Sequence, residues 1–255
     1  MLVTVIGAGN AGYAHACKLV ECGHRVRLVK TSHSIHEESF EWVGKNGGIY
    51  CIDDTQQGKR SFSRLDMTTR DEKEAVAGAD VVFILTQSLQ HESLAKRIGP
   101  LLQSGQMLIV VPGYMGSIYF RQHCHTSGVV FAEGESTAID ARIVEDGMVR
   151  ILFRNVRNAL GCWSAEDQEI GLKRAGELFD TYRYARRNIV ESAMHNPNLI
   201  VHTVGAITSA SRIEYSSGDF WMYKEAFTPS IWRLIRALDN EKNQILEAFG
   251  CDRLD

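Results

Sequence analysis

The stretch Gly7-Ala8-Gly9-Asn10-Ala11-Gly12 constrains this chain more than any other. It fits G-x-G-x-x-G and stands between the apolar run Leu2-Val3-Thr4-Val5-Ile6 and a segment, Tyr13 to Cys22, whose Ala14, Ala16, Cys17, Leu19 and Val20 recur at helical spacing. A short apolar run closed by glycine reads as a buried strand, and Gly23 supplies the stop of the following helix. In such a strand–turn–helix unit each glycine has its own task. Gly7 permits the tight turn, Gly9 lets the backbone approach a pyrophosphate, and Gly12 allows helix and strand to pack closely. The unpaired N–H groups at the helix start then face the phosphates of a dinucleotide. Gly7, Gly9, Asn10, Ala11 and Gly12 are therefore the candidate cofactor-binding residues.

The end of the second strand, Arg25 to Val29, decides between the two nicotinamide dinucleotides. A carboxylate there binds the ribose 2′-hydroxyl of NAD and repels a 2′-phosphate. This chain places Lys30, Thr31 and Ser32 at that position, an ammonium followed by two hydroxyls. NADP is the preferred expectation and NAD the other.

Further strand signals follow at Val81 to Leu85, behind a charged helix from Asp71 to Ala77, and at Met107 to Val111, stopped by Pro112-Gly113. Strands separated by helical stretches read as βαβ units, so the fold class is α/β, a Rossmann-type doubly wound parallel sheet. Beyond about residue 185 the strand-like runs disappear. Ile231 to Phe249 carries apolar residues at 231, 234, 235, 238, 245, 246 and 249, the pattern of a long amphipathic helix. The expected division is a dinucleotide-binding domain over 1–187 and a helical C-terminal domain over 188–255.

Composition removes several function classes. The 255 residues are 44% apolar and 23% charged, with a formal net charge of −3, which gives no basic surface for nucleic acid or anionic lipid. No apolar run is long enough to cross a bilayer, and the start of the chain has neither the basic stretch nor the cleavage site of a secretory signal. Six scattered cysteines without a C-x-x-C pair suit reduced thiols in a cytoplasm. His123-Cys124-His125 is a run of adjacent residues whose side chains diverge, so a polar helix end before the strand Val129-Val130-Phe131 is expected there and no metal.

The C-terminal part carries Asn196-Pro197-Asn198-Leu199-Ile200-Val201-His202, then Arg212 and Glu214, then Tyr223, Glu225 and Thr228-Pro229-Ser230, and finally Asp239 with Glu241. In this order and spacing the chain resembles the opine dehydrogenases, the octopine and nopaline dehydrogenases and their bacterial relatives. Pro112-Gly113, Glu133 and Arg142 fall where that family has a P-G turn and an E-x8-R pair, so the resemblance runs from residue 1 to about residue 250. It implies an oxidoreductase that joins an amino acid to a 2-oxo acid and reduces the imine with hydride from NAD(P)H. The family's histidine is His202 here, a general acid/base; an imidazole can move a proton either way near neutrality. His195 does not inherit that role. Asn198 and Arg212 are substrate candidates, although an ion pair with Glu214 or another carboxylate suits Arg212 better.

Thr203 and Ser209 stand where the family has proline and asparagine. The family also pairs its histidine with an aspartate in a later segment, and this chain reaches Asp255 before any such segment, so the helical domain reads as shortened. Two alternatives follow. One is a dehydrogenase of the glycerol-3-phosphate or ketopantoate type, which needs a catalytic lysine where only Lys224 and Lys242 stand. The other is a cofactor-binding protein without turnover. The expected partners are small molecules, an amino acid and a 2-oxo acid, with a homodimer as the assembly.

Overall fold

The computed structural model describes residues 1–33 and 35–253 and divides the chain into two units, Met1–Ser192 and Ala193–Asp255. The strands, all in the first unit, are β1 (Leu2–Ile6), β2 (Arg25–Val29), β3 (Gly48–Asp53), β4 (Lys59–Arg64), β5 (Met67–Thr69), β6 (Val81–Ile84), β7 (Met107–Val110), β8 (Val130–Gly134), β9 (Ile139–Glu145), β10 (Met148–Arg154), β11 (Asn158–Cys162) and β12 (Tyr182–Ala185). Its helices are α1 (Asn10–Glu21), α2 (Glu37–Asn46), α3 (Glu72–Val76), α4 (His91–Ile98), α5 (Ser117–His123) and α6 (Gln168–Leu178), with α7 (Ile189–Met194) crossing the division. The second unit continues with α8 (Asn198–Thr208), α9 (Ala210–Tyr215), α10 (Met222–Glu225) and α11 (Pro229–Ala248).

The large sheet has eight strands in the order β12-β11-β8-β7-β6-β1-β2-β5. From β8 to β5 every neighbour is parallel, and the order reverses at β1, which β2 flanks on one side and β6 on the other. The doubly wound parallel sheet expected from the alternation of signals is therefore present. It departs from that expectation at one edge, where β11 runs antiparallel to β8 and β12 follows β11. The central strands are apolar runs because both faces are covered. Val3 and Val5 enter one core with α1, while Ile6, Val82, Ile84, Leu108 and Val110 enter the other, beneath α3, α4 and α5.

A second sheet of four strands, β4-β3-β10-β9, was not foreseen. It lies over α1: Ile49, Cys51, Ala141, Val149 and Ile151 share a core with Ala14 and Cys17. This explains the unusual burial of α1, which hides every residue from Gly12 to Leu19. A helix buried all round must satisfy its polar side chains locally. Lys18 does so with Glu21 and, across to the second sheet, with Asp53, each at 2.5 Å. His15 donates from Nδ1 to the Ala11 carbonyl at 2.8 Å and packs its ring between Phe83 and Phe179.

In the second unit α11 opens two residues before the expected Ile231. Thr228 Oγ1 accepts from the Ile231 N–H and Pro229 occupies the first turn, where its missing N–H costs nothing. The Thr-Pro-Ser triplet is thus a helix start. No helix among the described residues is long and apolar enough to cross a membrane.

Candidate functional site

The parallel strands β1, β2 and β6 all deliver their following residues to the same edge of the sheet. There, at the point where strand order reverses, the loops leave a cleft of about 280 Å³. Gly7, Ala8, Gly9 and Asn10 form one wall, Lys30, Thr31 and Ser32 another, and Leu85, Thr86 and Gln87 a third. Gly7 and Gly12 take the turn and packing positions read for them. Gly7 has φ +119°, and a Cβ on it would lie 2.6 Å from the Leu85 carbonyl oxygen. At Gly12 a Cβ would sit 1.7 Å from the Gly7 carbonyl oxygen, so turn and helix are in direct contact. A Cβ on Gly9 would meet nothing within 4 Å; it would project into open space, the cradle a pyrophosphate needs.

Helix α1 starts at Asn10, earlier than its apolar pattern, so Asn10, Ala11 and Gly12 are its first turn. That turn has no side-chain cap and no acidic residue, which leaves its positive end facing the cleft. Asn10 lines the cleft but also accepts from the Ile143 N–H with Oδ1 at 2.8 Å, tying the first turn to β9. Ala11 and Gly12 lie behind the wall rather than on it. The residues present therefore fit a dinucleotide phosphate.

Lys30 is 4% exposed and donates to the Ile35 carbonyl at 2.7 Å. Burial pushes its ammonium below the usual lysine range; Glu37 opposes that shift and Arg70 adds to it. Arg70 was not singled out in the sequence. It follows β5, whose Thr69 pairs with Val29 of β2, so two strands forty residues apart in sequence end side by side and place both cations together. Arg70 donates to the Ser32 carbonyl at 2.9 Å and to Glu37, and its guanidinium lies 5.0 Å from the Phe40 ring centre.

Glu133 and the Pro112-Gly113 turn, matched by position to the family pattern, form one cluster. Glu133 is fully buried; Oε1 accepts from the Ser117 N–H and hydroxyl at 2.8 and 2.5 Å, and Oε2 from the Met115 N–H at 2.8 Å. Burial pushes the carboxyl above its ordinary range while these donors pull it down. A Cβ on Gly113 would strike that carboxylate. Arg142 does not join Glu133. It stands on β9 and donates to the Ala141 carbonyl at 2.8 Å. His123 ends α5 and Cys124 turns inward, its Sγ donating to the Thr126 carbonyl at 3.5 Å.

In the second unit Asn198 is the first residue of α8 and His202 stands one turn later on the same face. Asn196, buried, accepts the Asn198 N–H at 2.9 Å and starts the helix. His202 Nε2 lies 2.5 Å from the Tyr223 hydroxyl, with the rings edge to face at 5.9 Å. Gly205, three residues on, packs closely against the neighbouring segment: a Cβ there would come within 3.3 Å of the Phe227 ring. His195 is buried and donates from Nε2 to the Asp252 carbonyl at 3.0 Å, a packing role. Arg212 pairs with Glu225 at 3.0 Å, not with Glu214, and Glu225 also accepts the Trp221 N–H.

Residues 185–255 match the family model described as NAD/NADP octopine/nopaline dehydrogenase, alpha-helical domain. Residues 2–111 match the model described as NADP oxidoreductase coenzyme F420-dependent. An opine dehydrogenase of Arthrobacter sp. (strain 1C) is 27% identical over 249 residues, 96% of this chain and 67% of that protein. Among solved structures, octopine dehydrogenase with NADH and L-arginine superposes with a TM-score of 0.77 at 18% identity, over 100% of this chain and 66% of that one. Yersinopine dehydrogenase with NADP+ bound gives 0.81 at 12% identity, over 100% and 65%. The chain spans about two thirds of the length of these relatives. The resemblance to the opine dehydrogenases read from the C-terminal motifs is borne out, and with it the Rossmann-type fold followed by a helical domain.

Proposed function

We propose that this chain is an NAD(P)(H)-dependent oxidoreductase of the opine type, which reduces the imine formed between an amino acid and a 2-oxo acid. The observation that carries the reading is the His202–Tyr223 pair, 2.5 Å apart, in a chain whose other unit holds an open glycine cradle. Gly7, Gly9 and the first turn of α1 would hold the pyrophosphate, and Lys30, Thr31 and Ser32 the adenosine ribose, with NADP(H) preferred because no carboxylate stands on that wall. When bound, the nicotinamide supplies the hydride. His202 supplies the proton that must accompany it, and Tyr223 fixes the imidazole ring and its tautomer. Asn198, exposed one turn before His202, is positioned to take a polar group of the substrate. Arg212 has its guanidinium on Glu225 and serves the second unit as an ion pair.

The lysine-dependent alternative finds little support. Lys224 stacks on Trp221 at 4.0 Å and Lys242 is buried against Asp239 at 2.6 Å. The test is cofactor oxidation with mixed amino acids and 2-oxo acids. Absorbance loss that needs both substrates supports the imine reaction, loss with a 2-oxo acid alone supports a carbonyl reductase, and binding without turnover supports a cofactor-binding protein.

A further inference from the structure

The wall of the cleft that carries Lys30 has a carboxylate behind it. Glu37, at the first position of α2, accepts a short hydrogen bond from Arg70 Nη2 and has Oε2 3.9 Å from Lys30 Nζ. His33 Nδ1 lies 3.5 Å from its Oε1. Oε2 is buried and receives no hydrogen bond from any described residue, although it faces an ammonium that is itself 4% exposed. Lys30, Thr31 and Ser32 line the cleft, whereas Glu37 and Arg70 stand behind them. Two cationic side chains thus share one carboxylate that stands off the ligand surface. His36, on the cleft wall, is held toward its neutral form and adds no third cation: burial and the neighbouring Lys30 keep its imidazole below the usual range.

We propose that Glu37 is the internal counter-anion of a 2′-phosphate seat that Lys30 lines and Arg70 backs, and that it sets how strongly the protein discriminates NADP(H) from NAD(H). The proposal rests on the dinucleotide reading of the cleft. With the cofactor absent, Glu37 partly neutralises the two cations and holds Arg70 against Ser32 and Phe40. A 2′-phosphate, with close to two negative charges, answers the remaining positive charge better than a ribose hydroxyl does. The same carboxylate also repels that phosphate, so Glu37 lowers NADP(H) affinity relative to the cations alone and leaves NAD(H) untouched. It acts as a positioning residue, through Lys30 and Arg70, with no contact of its own to the ligand.

The test is isothermal titration of the whole chain and of Glu37→Gln with NADPH, NADH, 2′,5′-ADP and 5′-ADP, with the thermal midpoint recorded for each protein. Glu37→Gln is expected to bind NADPH and 2′,5′-ADP about tenfold more tightly, with NADH and 5′-ADP within about twofold of the parent. Glu37→Asp, which restores the charge, returns the NADPH value toward the parent's. Arg70→Met, which keeps the stem on Phe40, loses about tenfold for NADPH and 2′,5′-ADP alone. Unchanged or weaker NADPH binding by a folded Glu37→Gln overturns the proposal. So does weakened NADH binding, which would make Glu37 a ribose ligand. A different failure, in which Gly9→Val binds both dinucleotides as the parent does, overturns the dinucleotide reading itself.

Discussion

The first unit presents its chemistry on main chain. Gly7, Gly9 and the opening turn of α1 are held by two sheets, and no side chain has to choose a rotamer to complete the cradle. The second unit presents its chemistry on side chains of short helices: His202 meets Tyr223, and Tyr223 continues an aromatic row through Phe227 to Trp232. Tyr223, Trp221 and Tyr215 are largely exposed there. A backbone site tolerates no insertion of volume but asks little of its neighbours. A side-chain site tolerates conservative change yet depends on each partner for orientation. The same contrast governs how each unit should respond to substitution.

The largest effect belongs to Gly9→Val. Its Cβ enters open space rather than protein, so the variant folds, and the pyrophosphate loses its place. Dinucleotide binding by fluorescence titration should disappear; affinity like the parent's would remove the cradle from the cleft. Next comes the acid response of the same unit. Burial lowers the His15 imidazole from 6.5 to about 4, so the unfolded chain takes up this proton first. Stability present above pH 6.5 is lost as pH falls toward 4, by on the order of 3 kcal/mol. His15→Gln should flatten the slope of urea midpoints between pH 7 and 4.5, and an unaltered slope would assign the acid sensitivity elsewhere.

In the second unit, His202→Ala is expected to lower turnover by roughly a hundredfold with cofactor affinity nearly intact. His195→Ala should lower the melting temperature instead, since its ring holds the Asp252 carbonyl. Equal activity of the two variants would end the opine-type mechanism and leave the cofactor site standing. The smallest effect is expected at Arg212→Ala. Its pair with Glu225 is partly exposed, with side chains 46% and 32% accessible, and such pairs contribute about 0.5 kcal/mol. A loss of substrate affinity larger than the loss of stability would instead return Arg212 to the substrate.

Local patterns carried most of the first site. β1 was legible to the residue because a strand buried on both faces is a nearly continuous apolar run, and β2, Arg-Val-Arg-Leu-Val, because its apolar residues follow the Gly23 stop. The second sheet was missed because one of its faces is exposed, which turns β4 into Lys-Arg-Ser-Phe-Ser-Arg and makes a strand read as a polar loop. A signal did exist at Asp146-Gly147, a two-residue link between β9 and β10 of the kind that marks a hairpin. Arg70 could not be found from spacing, since only the pairing of β2 with β5 brings it beside Lys30. The partner of Arg212, left open between Glu214 and another carboxylate, was hidden for a related reason. Glu214 is near in sequence, but on a helix residues two apart point to different sides, and Glu225 arrives from another helix.

The burial of α1 between two sheets has a consequence for modularity. A strand–glycine turn–helix unit is often treated as a portable cassette, the first thirty residues being enough to carry the phosphate grip elsewhere. Here the cassette is incomplete. Lys18 requires Asp53, and the opening turn is pinned through Asn10 to the Ile143 amide, from a strand more than a hundred positions downstream. The smallest transplantable form of this strand–glycine turn–helix unit therefore includes 48–64 and 139–154 as well as 1–30. Without those strands the helix would expose an apolar flank and strand a buried ammonium.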